Sequence, residues 1–152
     1  MSQPGNQQVN VADLDLSQLQ DVKRQLDEEL QHLSSSFAQL SKAQARFKSC
    51  VENVNEVNKG KTILVPLSNS LYVPGKLSDP EHVIVDVGTG YYVKKTREEA
   101  TKHYQSKADF VRTNLQTLQD TIEKKQDNMN YLVNIMQVKL QQQQQAQVGQ
   151  KS

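Results

Sequence analysis

The sequence predicts an α+β fold: a long antiparallel coiled-coil helical hairpin with two central β-hairpins. Three observations carry this. Two long polar segments, about 16–58 and 97–140, place apolar residues three and four positions apart, the spacing of a coiled-coil seam. Between them, residues 61–95 are rich in Val, Ile, Leu and Tyr, which suit a pleated, half-buried surface. Turn residues break that stretch at Ser68-Asn69-Ser70, Pro74-Gly75, Asp79-Pro80 and Gly88-Thr89-Gly90, dividing it into four short strands.

Residues 1–13 are polar at their start, with Pro4 and Gly5, and are expected to be disordered. Asp15 with Gln18 three residues later forms a capping box. The first apolar series then runs Leu19, Val22, Leu26, Leu30, Leu33, Phe37, Leu40, Gln44, Phe47, Val51, Val54. One extra four-residue step between Val22 and Leu30 is a stutter, which locally unwinds a coiled coil. The stripe is narrower than that of most globular helices, so the helix needs a partner helix. Ser34-Ser35-Ser36 weakens it locally. Asn58-Lys59-Gly60 ends it, with Gly60 able to adopt the left-handed conformation.

Ile63, Leu64, Val65 and Leu67 define the first strand, which Pro66 directs to an edge or a bulge. Leu71, Tyr72 and Val73 pair back, and Val73-Pro74-Gly75-Lys76 reads as a type II turn. His82 to Val87 is the third strand, with Val83, Val85 and Val87 on one face and Ile84 and Asp86 on the other. Tyr91, Tyr92 and Val93 return after the glycine turn, in which Gly88 and Gly90 are both candidates for a positive φ.

Thr96 with Glu99 is a second capping box, and Glu98 and Glu99 suit the helix dipole. The second series is a regular heptad: Tyr104, Ala108, Val111, Leu115, Leu118, Ile122, Lys125, Met129, Leu132, Met136, Lys139. Two of its members are lysines in seam positions. Residues 141–152 carry no stripe and read as a Gln-rich disordered tail, leaving 14–140 as the structured domain. Each helix is roughly 60 Å long at 1.5 Å per residue. The nearest partner for each is the other, running antiparallel.

Hydrophobic residues make up 36% of the chain and tryptophan is absent; globular domains usually hold roughly 45–50% apolar residues, glycine included. The chain lacks material for one deep core. Two hairpins leave sheet edges and an apolar face open and are marginal alone, so oligomerisation follows. Net charge is +1 with no one-sided basic stripe, which argues against nucleic acid. No apolar run approaches the ~20 residues that span a bilayer, and MSQPGNQQVN has no signal-peptide core; no membrane partner is expected. Cys50 is the only cysteine, which excludes an intrachain disulfide and points to a reducing, intracellular setting.

Catalytic motifs are weak. Gly88-Thr89-Gly90 superficially suggests a dinucleotide loop, but Val93 stands where a third glycine would fall and a strand follows. His32, His82 and His103 lie on different elements without metal-ligand spacing. Cys50 abuts Phe47 and Val51 and reads as a packed hydrophobe. Glu28-Glu29 and Glu98-Glu99 have no partner group for acid–base work. No enzyme activity, cofactor or metal is expected.

Near the free helix ends lie Leu14, Leu16, Leu19 and Val22, and Leu132, Ile135, Met136 and Leu140. Two readings fit them equally. They close the coil tip or staple a helix cap, or they form an exposed adaptable surface to which methionine is suited.

The order long helix, two β-hairpins, long helix resembles the α class of prefoldin subunits, whose β class carries one hairpin. The likeness is most specific from Leu64 to Lys76 (LVPLSNSLYVPGK) and from His82 to Lys94 (HVIVDVGTGYYVK). It implies a hetero-hexamer of two α-class and four β-class subunits. Their hairpins join in an oligomeric β-barrel platform that carries six coiled-coil arms. By that resemblance Ile63, Val65, Leu67, Leu71, Val73, Val83, Val85, Val87, Tyr91 and Val93 serve subunit assembly. The eight apolar residues at the helix ends would contact clients. Such complexes capture unfolded chains such as actin and tubulin and deliver them to the cytosolic chaperonin without ATP, in the cytoplasm and also the nucleus. The alternative is a coiled-coil adaptor or transcriptional regulator that binds one folded partner.

Overall fold

A computed structural model of the chain describes residues 11–57 and 60–149. A 3-10 turn (Val11–Asp13) precedes helix α1 (Leu16–Asn55). Strands β1 (Thr62–Pro66), β2 (Tyr72–Lys76), β3 (His82–Gly88) and β4 (Tyr91–Thr96) follow, then helix α2 (Arg97–Gly149). The strands form two separate antiparallel ribbons, β1–β2 and β3–β4. The chain divides into two compact units. A base unit comprises residues 39–115, and a tip unit comprises 1–38 with 116–152.

Both expected capping boxes form. Gln18 N–H donates to Asp15 Oδ1 at 2.7 Å and Asp15 N–H to Gln18 Oε1 at 3.1 Å. Glu99 N–H donates to Thr96 Oγ1 at 3.2 Å and Thr96 N–H to Glu99 Oε2 at 3.1 Å. Each box satisfies backbone donors that a helix start leaves unpaired. Every residue of the two apolar series is buried or half-buried, as a seam requires. The serine triplet does not break α1; the Ser36 hydroxyl donates to the His32 carbonyl at 3.0 Å.

The core of the base unit joins Val54 of α1, Val85 of β3 and Ala100 of α2, with Val83 and Tyr104 packed against it. Arg97 ties this junction together. Its Nε donates to the Val54 carbonyl at 3.3 Å and its Nη2 to the Asn55 carbonyl at 3.1 Å. Both carbonyls lie at the C-terminus of α1, where orphan acceptors and the helix dipole favour a cation. The Arg97 N–H donates to the Glu81 carbonyl at 3.0 Å. So capped, α1 stops at Asn55, before the expected Asn58-Lys59-Gly60 signal. Asn58 and Lys59 lie outside the described residues, and Gly60 has the anticipated positive φ of 75°.

The structure corrects three expectations. Pro74-Gly75 is not a turn: it lies within β2, opposite Leu64 and Ile63. Leu67 N–H donates to the Leu71 carbonyl at 2.9 Å and Leu77 N–H to the Lys61 carbonyl at 3.2 Å. The alternation of an antiparallel ladder then turns residue 74 away from β1, where a missing N–H costs the ribbon nothing. A Cβ on Gly75 would stand 3.1 Å from Val65 Cγ2, so the bare backbone there permits a close cross-strand approach. Second, Val87 does not continue the face of Val83 and Val85. Asp86 pairs with Tyr92 and Gly88 with Tyr91, leaving Val87 as the extra residue of a β-bulge, exposed. Third, α2 does not fray at Gln141. It stays helical through Gly149, because glutamine and Ala146 are good helix formers and no breaker intervenes. Residues 150–152 of the expected tail lie outside the described residues, as do residues 1–10 of the expected disordered start, whose remainder is the 3-10 turn.

The β3–β4 turn has positive φ at Gly88 (129°), Thr89 (44°) and Gly90 (82°). Thr89-Gly90 is therefore a type I′ loop, which prefers Asn-Gly, and a β-branched residue is strained in it. Thr89→Asn is expected to stabilise the chain by about 0.5–1 kcal/mol. A urea midpoint equal to or below that of the parent would contradict this.

Asp79 organises the approach to β3. Its Oδ1 accepts from the Glu81 N–H at 3.1 Å, its Oδ2 lies 3.1 Å from His82 Nδ1, and Lys94 Nζ is 3.5 Å away. The His82 hydrogen bond, with the Glu81 N–H and the His82 and Lys94 charges, holds its carboxyl below the ordinary 3.8 against some desolvation. A lowered carboxyl pKa adds stability that is fully present above the ordinary value and disappears as pH falls through the lowered one. Asp79→Asn should therefore destabilise the chain at neutral pH, with the difference vanishing in strong acid. A difference independent of pH would refute the assignment.

Candidate assembly and capture surfaces

Sixteen large hydrophobic side chains are exposed among the described residues, and all but Phe110, Tyr131, Val138 and Leu140 lie on the two hairpins. The β1–β2 ribbon exposes both of its faces. Ile63, Val65, Leu67, Leu71 and Val73 are exposed, and so are Val87, Tyr91 and Val93 of the second hairpin. Val85 and Val83 are not. Val85 is 1% exposed and packs in the chain's own core, which leaves it no surface to offer a neighbour; Val83 is half-buried against the same core. Sequence reasoning missed Leu64, Tyr72, Ile84 and Tyr92, all exposed on the same ribbons; Ile84 is 74% exposed. For Leu64 the signal was the lack of alternation in Ile63-Leu64-Val65, a pattern of strands covered on both faces.

In the tip unit α1 and α2 run antiparallel. Lys125 Nζ pairs with the Glu29 carboxylate, and Lys139 Nζ donates to the Leu14 carbonyl. The seam lysines thus reach polar partners across the seam while their stems pack in it. Of the eight expected contact residues, Leu19 and Leu132 are 0% and 2% exposed and belong to the interior. Leu14, Leu16, Val22, Ile135 and Met136 are half-buried, and Leu140 is exposed. Tyr131 and Val138, which sequence reasoning passed over, are exposed. With Ile135 they step by four and three, a second apolar line beside the seam, which was the signal.

Two hollows lie along these residues. One, of about 540 Å³, is lined by Val11, Val22, Leu26, Tyr131 and Leu132, with Glu29 and Lys125 among its polar groups. The other, of about 370 Å³, runs along Ile135 and Val138 of α2. Apolar walls with a polar rim favour apolar segments without demanding one sequence. Among the described residues no group of three or more His, Cys, Asp or Glu is placed to hold a metal. No helix among them is long and apolar enough to cross a membrane.

Apolar surface gathered on two bare ribbons and along helix ends defines a coiled-coil subunit. The family profile described as prefoldin subunit matches residues 26–142, and the chain belongs to the prefoldin family of chaperone subunits. It is similar to prefoldin subunit 5 of Homo sapiens, 43% identical over 139 residues and covering 90% of each chain. It is also similar to the probable prefoldin subunit 5 of Schizosaccharomyces pombe, 44% identical over 140 residues, or 89% of this chain and 91% of that relative. Among solved structures, a chain of filamentous PFD from Methanocaldococcus jannaschii superposes with a TM-score of 0.45 at 24% identity, covering 83% of this chain and 98% of that one. As a member of the prefoldin family of subunits, the chain has other prefoldin subunits as its partners.

Proposed function

We propose that the chain occupies the subunit 5 position of a hetero-hexamer of two α-class and four β-class prefoldin subunits. Its hairpins close with those of its neighbours into a shared β-barrel platform. Its helix ends capture unfolded polypeptides of the actin and tubulin kind for delivery to the cytosolic chaperonin, without nucleotide, in the cytoplasm and nucleus. The carrying observation is the concentration of exposed apolar side chains on two ribbons too small to stand alone. The role is non-catalytic: it needs complementary surfaces and no reacting group. No feature of the geometry favours a solitary adaptor.

The test is reconstitution with the other five subunits. The native mass should be that of six subunits, and the complex should suppress aggregation of a denatured client with no nucleotide present. A chain that stays monomeric or dimeric beside all five partners would end the proposal. Within an assembled complex, Tyr131→Ser with Val138→Ser and Leu140→Ser should leave native mass and helicity unchanged. Photocrosslinking of an unfolded client to this helix should fall severalfold. Unaltered crosslinking would exclude these residues from capture.

A further inference from the structure

We propose that Pro74 decides which strand can add to the outer edge of β2: a strand of a different prefoldin subunit, and not β2 of a second copy. The inference rests on the proposal that the hairpins assemble strand to strand.

In an antiparallel ladder, residues whose N–H and C=O face the partner strand alternate with residues that face away. The Leu67–Leu71 and Leu77–Lys61 hydrogen bonds fix this alternation in the first ribbon. Tyr72, Pro74 and Lys76 therefore face outward on β2, and Thr62, Leu64 and Pro66 on β1. The bond from Arg97 N–H to the Glu81 carbonyl fixes it in the second. There His82, Ile84 and Asp86 face outward on β3, and Tyr92 and Lys94 on β4. Of these four edges, β2 is the one whose middle outward residue has no N–H. Pro66 stands at the end of its own edge.

Symmetry magnifies the gap. A two-fold pairing of β2 with its copy, centred on residue 73, 74 or 75, places Pro74 of both copies in the new ladder. Two donors are missing, and two carbonyls are left without partners. A strand of another sequence meets one proline and loses one bond. It can place a bulge opposite residue 74.

Amide hydrogen exchange at Tyr72 and Lys76 reads the edge directly. In the isolated full-length chain both amides should exchange fast at every concentration. In the assembled hetero-complex both should slow by about tenfold or more. In isolated Pro74→Val both should slow as concentration rises, with a matching rise in sedimentation mass. Pro74→Thr should behave alike, and the inward amides of Val65 and Val73 report that the ribbon is intact. Slow exchange at Tyr72 and Lys76 in the concentrated parent would overturn the inference. So would fast exchange in the assembled complex, or variants that stay monomeric. If the parent fails to join its partners at all, the assembly reading fails instead, and the variants still judge Pro74.

Discussion

Replacing Val85 with aspartate is expected to cost about 3–5 kcal/mol and to abolish assembly while most of the helical signal remains. Val85 shares a buried cluster with Val54 and Ala100, and no buried polar group is present among the described residues to receive a carboxylate. The charge must therefore be desolvated or the β3–β4 ribbon must leave the helices. Ribbons that have left cannot present a fixed edge to a neighbouring subunit. Far-UV circular dichroism should change little, and native mass should fall to that of the free chain. A variant that still enters the full complex would show that Val85 is not a keystone of the base.

Leu132→Ala should be nearly as costly, at about 2–5 kcal/mol, because truncating a buried leucine, here 2% exposed, leaves a cavity that its neighbours close only in part. For a chain of this size that corresponds to a drop in melting temperature of about 5–15 °C. A midpoint within error of the parent would mean that the helix ends collapse around the deletion. The same burial makes serine at Leu19 or Leu132 a test of folding, not of capture. Capture is better probed at Tyr131 and Val138, which can be truncated without opening the interior.

Much of this was legible because the decisive signals are local. The three-and-four spacing identified the seam residue by residue, since helical phase is a property of the chain alone. Both capping boxes were readable because each is closed by residues three apart. The failures have equally specific causes. Pro74-Gly75 spells a turn in any short window, and only the pairing register reveals that the proline faces outward. Val87 kept the alternation of its strand on paper, but the bulge beside Gly88 spends one residue of it. Val83 and Val85 were assigned to assembly because alternation tells which residues share a face, not what that face meets. At the helix ends, Leu19 and Leu132 followed the seam and are buried, whereas Tyr131 and Val138 were overlooked because they fall one position off it.

The Arg97 clasp has a further consequence. By joining the last carbonyls of α1 to the first residue of α2, it makes everything between them a closed excursion. The register of one helix against the other is then independent of how long that excursion is. Doubling such a loop costs only about 0.6 kcal/mol of closure entropy. A whole hairpin can be gained or lost in a lineage without re-phasing a single heptad, and one helical frame can serve chains with different numbers of strands.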